Sequence, residues 1–204
     1  RIGNLVLMGM GDPLHNYDAT VTAIAILTHP LGLAYPPRRI ALSTVGLVPE
    51  IVRLGQSGLP VNLAVSLHAA TDELRDRLVP INRRYPLKVL MATLRAYPLP
   101  SRRRLTFEYV LIDGVNDRPE DARGLVKLLR GLRCKINLLP LNEAPAIPFR
   151  RPSRERVETF QRILKAAGLL TTIRESRGMD ISAACGLLVT ETNQKNLDTA
   201  GHLA

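Results

Sequence analysis

Alternation is the feature that most narrows what this chain can fold into. Six short apolar or β-branched runs are separated by helically spaced segments, with Pro, Gly and Asn at the joins. The runs are "NLVLMGM", "RRIALSTVG", "LPVNLAVSLHAA", "RLTFEYVLIDGVND", "CKINLLPLN" and "LLTTIRES". Between them lie "NYDATVTAIAILTHP", "LVPEIVRLGQSG", "DELRDRL" with "LKVLMATLRAYP", "RPEDARGLVKLLRGL" and "SRERVETFQRILKAAG". Asn16 and Ser153 have the short polar side chains that satisfy a helix's first N–H groups, so they are predicted N-caps. Gly58 and Gly168 tolerate the left-handed turn that ends a helix, so they are predicted stops. Parallel strands need a crossover long enough to hold a helix, and this alternation supplies one after nearly every strand. The alternation points to a parallel sheet that is either doubly wound or barrel-like, and because no cue for reversal intervenes the fold expected is α/β with a partial or full barrel.

Parallel α/β folds bind ligands beyond the carboxyl ends of their strands. Asp12 follows the first run, Ser43 and Thr44 end the second, and Ser66 and His68 end the third. Asp113 and Asn116 follow the fourth, and Asn142 the fifth. Each has a structural reading when taken alone. "MGMGDP" fits a tight turn; its glycines would let a ligand approach the backbone, but the third glycine of the dinucleotide fingerprint is missing. Ser43 and Thr44 fit helix caps as well as ligand contacts. Ser66 and His68, two apart on a strand, are expected on one face. No acidic residue at a telling spacing completes a catalytic triad with them.

The four His residues are scattered, and neither Cys has a second ligand at metal-binding spacing. Cys134 begins a strand and reads as a buried structural thiol. Cys185 stands in "RESRGMDISAACGLL" between Ala184 and Gly186, where nothing bulky shields it, although a buried small thiol also fits this stretch.

Charge limits the partners. The 204 residues carry a net charge of +10, and Arg predominates in the runs Arg38-Arg39, Arg83-Arg84, Arg102 to Arg104 and Arg150-Arg151. Guanidinium groups pair bidentately with phosphates, and each contact releases condensed counterions, so a nucleic acid is the favoured partner class. Aromatics are only 4% with no Trp, so base-stacking platforms are not evident. No apolar stretch approaches the ~20 residues of a membrane span. No signal peptide is visible, and a cytoplasmic location with free thiols is expected.

Six stretches in order resemble one family. "MGMGDPLHNYD", "LSTVGLVP", "VSLHAATDELRDRLVPINRRYPL", "FEYVLIDGVND", "INLLPLN" and "RESRGMDISAACG" are similar to the successive motifs of the RlmN/Cfr-type radical SAM adenine methyltransferases. The resemblance runs from about Asn4 to Gly186. It implies a partial (β/α)6 barrel of the triose-isomerase type, in its radical SAM form and truncated at its N-terminal side, with S-adenosylmethionine held by Gly11, Asp12, Ser43, Ser66, Leu67, His68 and Asn142. Where the family has Glu, this chain has Asp12, one methylene shorter.

The resemblance also implies a 4Fe–4S cluster on a C-x3-C-x2-C loop that this sequence does not contain, so no metal ligand is assigned. Cys185 matches the cysteine that the family methylates on itself. One S-adenosylmethionine would methylate its thiolate. A 5′-deoxyadenosyl radical from a second would activate that methyl group, which adds to an adenine carbon. Arg174 and Arg177, near in sequence, would favour the thiolate.

The implied substrates are 23S rRNA and tRNA at the adenine 2-carbon. A Cfr-like enzyme acting on the 8-carbon is the alternative. A reductant such as flavodoxin and a monomeric state are also implied. Residues 1–190 are expected to form the barrel domain and 191–204 a polar tail. Because the first strand-like run starts at Asn4, the chain reads as the back portion of a longer protein. On its own it should bind S-adenosylmethionine weakly and transfer no methyl group. Two rivals stay open: a non-catalytic basic RNA-binding barrel remnant, and a non-radical barrel enzyme using Ser66 and His68.

Overall fold

A computed structural model describes residues 2–9, 11–143 and 148–174. Its six strands are β1 (Leu5–Leu7), β2 (Ile40–Thr44), β3 (Asn62–Ser66), β4 (Leu105–Leu111), β5 (Cys134–Pro140) and β6 (Leu170–Ile173). They form one sheet in the order β1-β2-β3-β4-β5-β6, with every neighbouring pair parallel. The helices are α1 (Tyr17–Thr28), α2 (Val48–Gln56), α3 (Asp72–Leu78), α4 (Leu87–Ala96), α5 (Pro119–Leu129) and α6 (Arg154–Ala166). Strand order follows chain order, so crossovers of one hand put all the helices on one face. The result is the expected singly wound α/β partial barrel.

Residues alternate across the sheet. Leu42, Leu63, Val65, Phe107, Tyr109, Ile136 and Leu138 point toward the helices and are buried with Leu90, Leu125 and Phe160 in one core. The Tyr109 and Phe160 rings pack with centroids 5.3 Å apart. The other face is polar: Asn62, Ser66, Thr106, Glu108, Lys135 and Asn137 stand on it in alternate positions. Among the described residues no strand stands opposite this concave side.

Local chemistry sets the helix ends. Ser153 Oγ accepts from Arg156 N at 3.3 Å, and Gly168 turns left-handed (φ +78°) after α6, both as expected. Gly58 also turns left-handed (φ +70°) just past α2. Asn16 makes no side-chain cap to α1. A 3-10 turn, Pro13–Asn16, precedes that helix, and its cap is Asp12, whose carboxylate accepts from Leu14 N. Pro13 lacks an N–H, so Leu14 offers the first amide that needs a partner. Among the described residues no helix is long and apolar enough to cross a membrane.

Candidate active site at the carboxyl ends of the strands

The loop after β1 passes through Gly11 at φ +83°, a conformation that side chains rarely adopt, and nothing stands where a Cβ would be. This turn presents Asp12. Its Oδ1 accepts from Leu14 N at 2.9 Å, and its Oδ2 accepts from Thr44 Oγ1 at 2.9 Å and Val45 N at 2.7 Å. Thr44 Oγ1 also accepts from Gly46 N at 3.1 Å, so its own proton points at the carboxylate. Asp12 thus ties the loop after β1 to the end of β2. A carboxylate offers roughly four lone-pair positions, so one remains for a ligand beyond these three donors.

Asp12 lies on the wall of a cavity of about 430 Å³ that Gly9, Gly11, Ser43, Thr44 and Ser66 also line. Met8 and His15 complete it with Val45. Of the sequence-expected residues, Gly11, Asp12, Ser43 and Ser66 share this cavity. Leu67 is fully buried in the core. Asn142, partly buried after β5, does not line it. Cys185 lies outside the described residues, as does the polar tail.

His68 departs from the expected strand geometry. β3 stops at Ser66, and His68 adopts φ +60°, so it does not share a strand face with Ser66. Its Nδ1 accepts from Val110 N at 3.1 Å, and its carbonyl accepts from Asn116 Nδ2 at 2.8 Å. The ring is therefore neutral with its proton on Nε2. Burial, with help from Arg75, pushes its pKa down to about 4. Buried Asn116 also donates to Val110 O at 2.7 Å and accepts from Ile112 N at 2.8 Å, which fixes the loop after β4. Asp113 is held in an ion pair with Arg156 at 3.1 Å.

Sequence reasoning missed Arg75, which is fully buried beneath the site. Its guanidinium donates to Val45 O at 2.7 Å, Ser66 O and Leu67 O at 3.1 Å, and Asn82 Oδ1 at 2.9 Å. It clamps the ends of β2 and β3 together at the site. Burial lowers its pKa to about 10, and Asp72 and Asp76 oppose that, so it stays charged at neutral pH. In sequence it sits in "DELRDRL", which looks like a solvated helix; only its place just after a strand end could have singled it out.

Cys134 is buried, as its sequence context predicted, and burial raises its thiol to about 11, so it is no nucleophile at neutral pH. Among the described residues no three His, Cys, Asp or Glu side chains gather to hold a metal.

This open parallel half-barrel, with its polar cavity at the strand ends, has the fold of radical SAM methyltransferases. A radical SAM methyltransferase from Sphaerobacter thermophilus superposes with a TM-score of 0.88 at 55% identity, over 91% of this chain and 55% of that one. A domain of a pyruvate-formate lyase-activating enzyme from Bacteroides vulgatus shares the fold (TM-score 0.62) at 20% identity, over 85% of this chain and 99% of the domain. The sequence is 57% identical over 191 residues to the dual-specificity RNA methyltransferase RlmN of Syntrophobacter fumaroxidans, covering 94% of this chain and 56% of that protein. It is 55% identical over 187 residues to the RlmN of Syntrophotalea carbinolica, covering 92% and 50% respectively. High-identity homologues over most of this chain are thus RlmN dual-specificity RNA methyltransferases. The chain spans about half the length of the curated relatives it matches. No protein-family model matches it.

Proposed function

We propose that this chain is the S-adenosylmethionine-binding barrel of a cytoplasmic RlmN-type radical SAM methyltransferase that modifies the adenine 2-carbon in 23S rRNA and tRNA. One observation carries the reading. The cavity at the strand ends pairs a fixed carboxylate with hydroxyls and a glycine turn, in a chain whose homologues bear the RlmN name. A ligand that is part amino acid and part nucleoside matches that donor set. Asp12 would accept from its ammonium group, Ser43 and Ser66 would meet its polar oxygens, and Gly11 would let it lie against the backbone. When bound, S-adenosylmethionine supplies the methyl group. Arg75 and Asn116 hold the strand ends and loops around it, and His68, which does not line the cavity, accepts from Val110 N through Nδ1. His68, Leu67 and Asn142 are expected second contacts, and Cys185 the thiol that carries the methyl group.

Among the described residues no three His, Cys, Asp or Glu side chains gather to hold the iron–sulfur cluster that the resemblance implies.

Calorimetric titration of the chain with S-adenosylmethionine tests the site. A charge-assisted hydrogen bond contributes about 1.5–3 kcal/mol, so Asp12→Asn should weaken binding roughly 10- to 100-fold. Equal affinity in the variant, with an unchanged unfolding midpoint in both, would remove Asp12 from the site. Mass spectrometry of RNA from cells that make the protein should find 2-methyladenosine that Cys185→Ala abolishes. An 8-methyl product would overturn the position, and methylation by the Ala variant would overturn the role of Cys185.

A further inference from the structure

A second cavity, of about 440 Å³, runs along the concave face from an arginine rim at the amino ends of the strands to Met8 and Arg174, just past the carboxyl ends of β1 and β6. Arg38 and Arg39 stand at its edge just before β2, and Arg102, Arg103 and Arg104 just before β4. With neighbouring strands ~4.8 Å apart, the two runs sit ~10 Å from each other across β3. Lys135, one residue into β5, and Arg174 face the same space. Among the described residues the one carboxylate lining it is Glu108, which accepts from Asn137 Nδ2 at 2.8 Å and whose pKa burial raises. Among the described residues no carboxylate pairs with any of the five rim arginines.

The rim is also built. Asn62 Nδ2 donates to Arg38 O at 2.8 Å and Ile40 O at 3.1 Å, while Asn62 Oδ1 accepts from Arg103. One buried-edge amide thus joins the two arginine runs. Arg133 donates to Leu99 O at 2.9 Å and to Pro100 O and Ser101 O, which pins the loop that carries Arg102 to Arg104. Like charges gathered on pinned loops, without acidic partners, repel one another. A polyanion would relieve that repulsion without having to order the loops first.

We infer that this amino-end rim is a binding site for the phosphodiester backbone of RNA, separate from the cavity at the strand carboxyl ends. The two cavities share Met8 on the concave face. The concave face between them is therefore a continuous path along which a strand gripped at the rim can reach the other end of the barrel. Guanidinium forks pair bidentately with phosphates and carboxylates alike, so the choice of a phosphodiester backbone rests on the chain's net charge of +10 and on the RNA reading above. The inference rests on the RNA reading above but assigns a place that reading does not specify.

The test is a fluorescence-anisotropy titration of a labelled single-stranded RNA with the full chain across a salt series. Replacing Arg38, Arg39, Arg102 and Arg104 by Gln removes up to four phosphate contacts. Each contributes about 0.7 to the slope of log K against log salt, so the slope should fall by about 3, with affinity dropping on the order of 100-fold at 0.1 M salt. The control removes four exposed charges elsewhere, by Gln at Arg123, Arg130, Arg162 and Lys165, and should change the slope by less than about 1. Unfolding midpoints check that both sets fold. A Lys set at the rim, which keeps the charge and loses the fork, should retain most of the slope if the wild-type fold persists.

Equal losses in rim and control sets would overturn the rim site while leaving the RNA reading intact. Absence of RNA binding by the unaltered chain would overturn both for this chain. Displacement of the RNA by poly-glutamate of matched charge at equal or lower concentration would overturn the choice of RNA in favour of an acidic protein.

Discussion

His68 should make the stability of this chain depend on pH between about 4 and 6.5. Its Nδ1 must stay unprotonated to accept from Val110 N at 3.1 Å, and the Arg75 guanidinium lies close enough to disfavour a second positive charge. Its pKa falls from the ordinary 6.5 to about 4 on folding. Between those values the unfolded chain binds more protons than the folded one, so stability rises with pH there. The contribution is complete above pH 6.5, is lost as pH falls toward 4, and changes no further below that. A span of about 2.5 in pKa, at 1.36 kcal/mol each, makes the loss at most about 3 kcal/mol. That is a large share of the ~5–15 kcal/mol a domain has. The informative variant is His68→Asn. Asn tolerates φ +60°, its amide oxygen can replace Nδ1 as acceptor from Val110 N, and it does not titrate. Urea unfolding at pH values from 4 to 7 should show the wild type losing up to about 3 kcal/mol more than His68→Asn. Parallel curves for the two proteins would refute the reasoning, because the carboxylates common to both would then account for all of the pH dependence.

Two further outcomes can be checked in the same unfolding experiments. Arg75→Met removes a charge held by four carbonyl or amide oxygens and strands Asp72 and Asp76 beside it, so it should destabilise by about 3–5 kcal/mol. Arg75→Lys should lose less, and a Met variant within about 1 kcal/mol of the wild type would mean the clamp is dispensable. Gly55→Ala lies within α2, where Ala ordinarily gains about 1 kcal/mol. Here its Cβ would stand 2.9 Å from Cδ of the rigid Pro98 ring. Overpacking costs about 1–3 kcal/mol, so the expected result is a net loss; a gain in the urea midpoint would show that Pro98 yields freely.

What was legible in the sequence follows from how far each signal is local. The strands could be read because Leu42, Phe107 or Ile136 face a helix-packed core, and apolar runs with Gly and Pro at their ends declare that directly. Their lengths could not. The expected third strand ran through His68, but the ladder ends at Ser66, where the chain turns left-handed so that His68 can meet Val110, forty-two positions on. No alternation rule carries that contact. The cap of the first helical segment failed in the same way. Asn16 had the right residue type, yet Asp12 caps the 3-10 turn ahead of it because the same carboxylate also closes the gap to Thr44 and Val45. The polar residues at the strand ends were found because the chain direction of a parallel sheet fixes where they gather. Those that hold them there were not. Arg75 and Asn62 act through carbonyls and amides on other strands, and in sequence one looks like a solvated charge and the other like an ordinary strand residue. A local reading therefore recovers the groups that line the cavity at the strand ends and loses those that brace the backbone around it. For the same reason the arginine runs were legible as charge, but their convergence on one rim required the register of β2, β3 and β4.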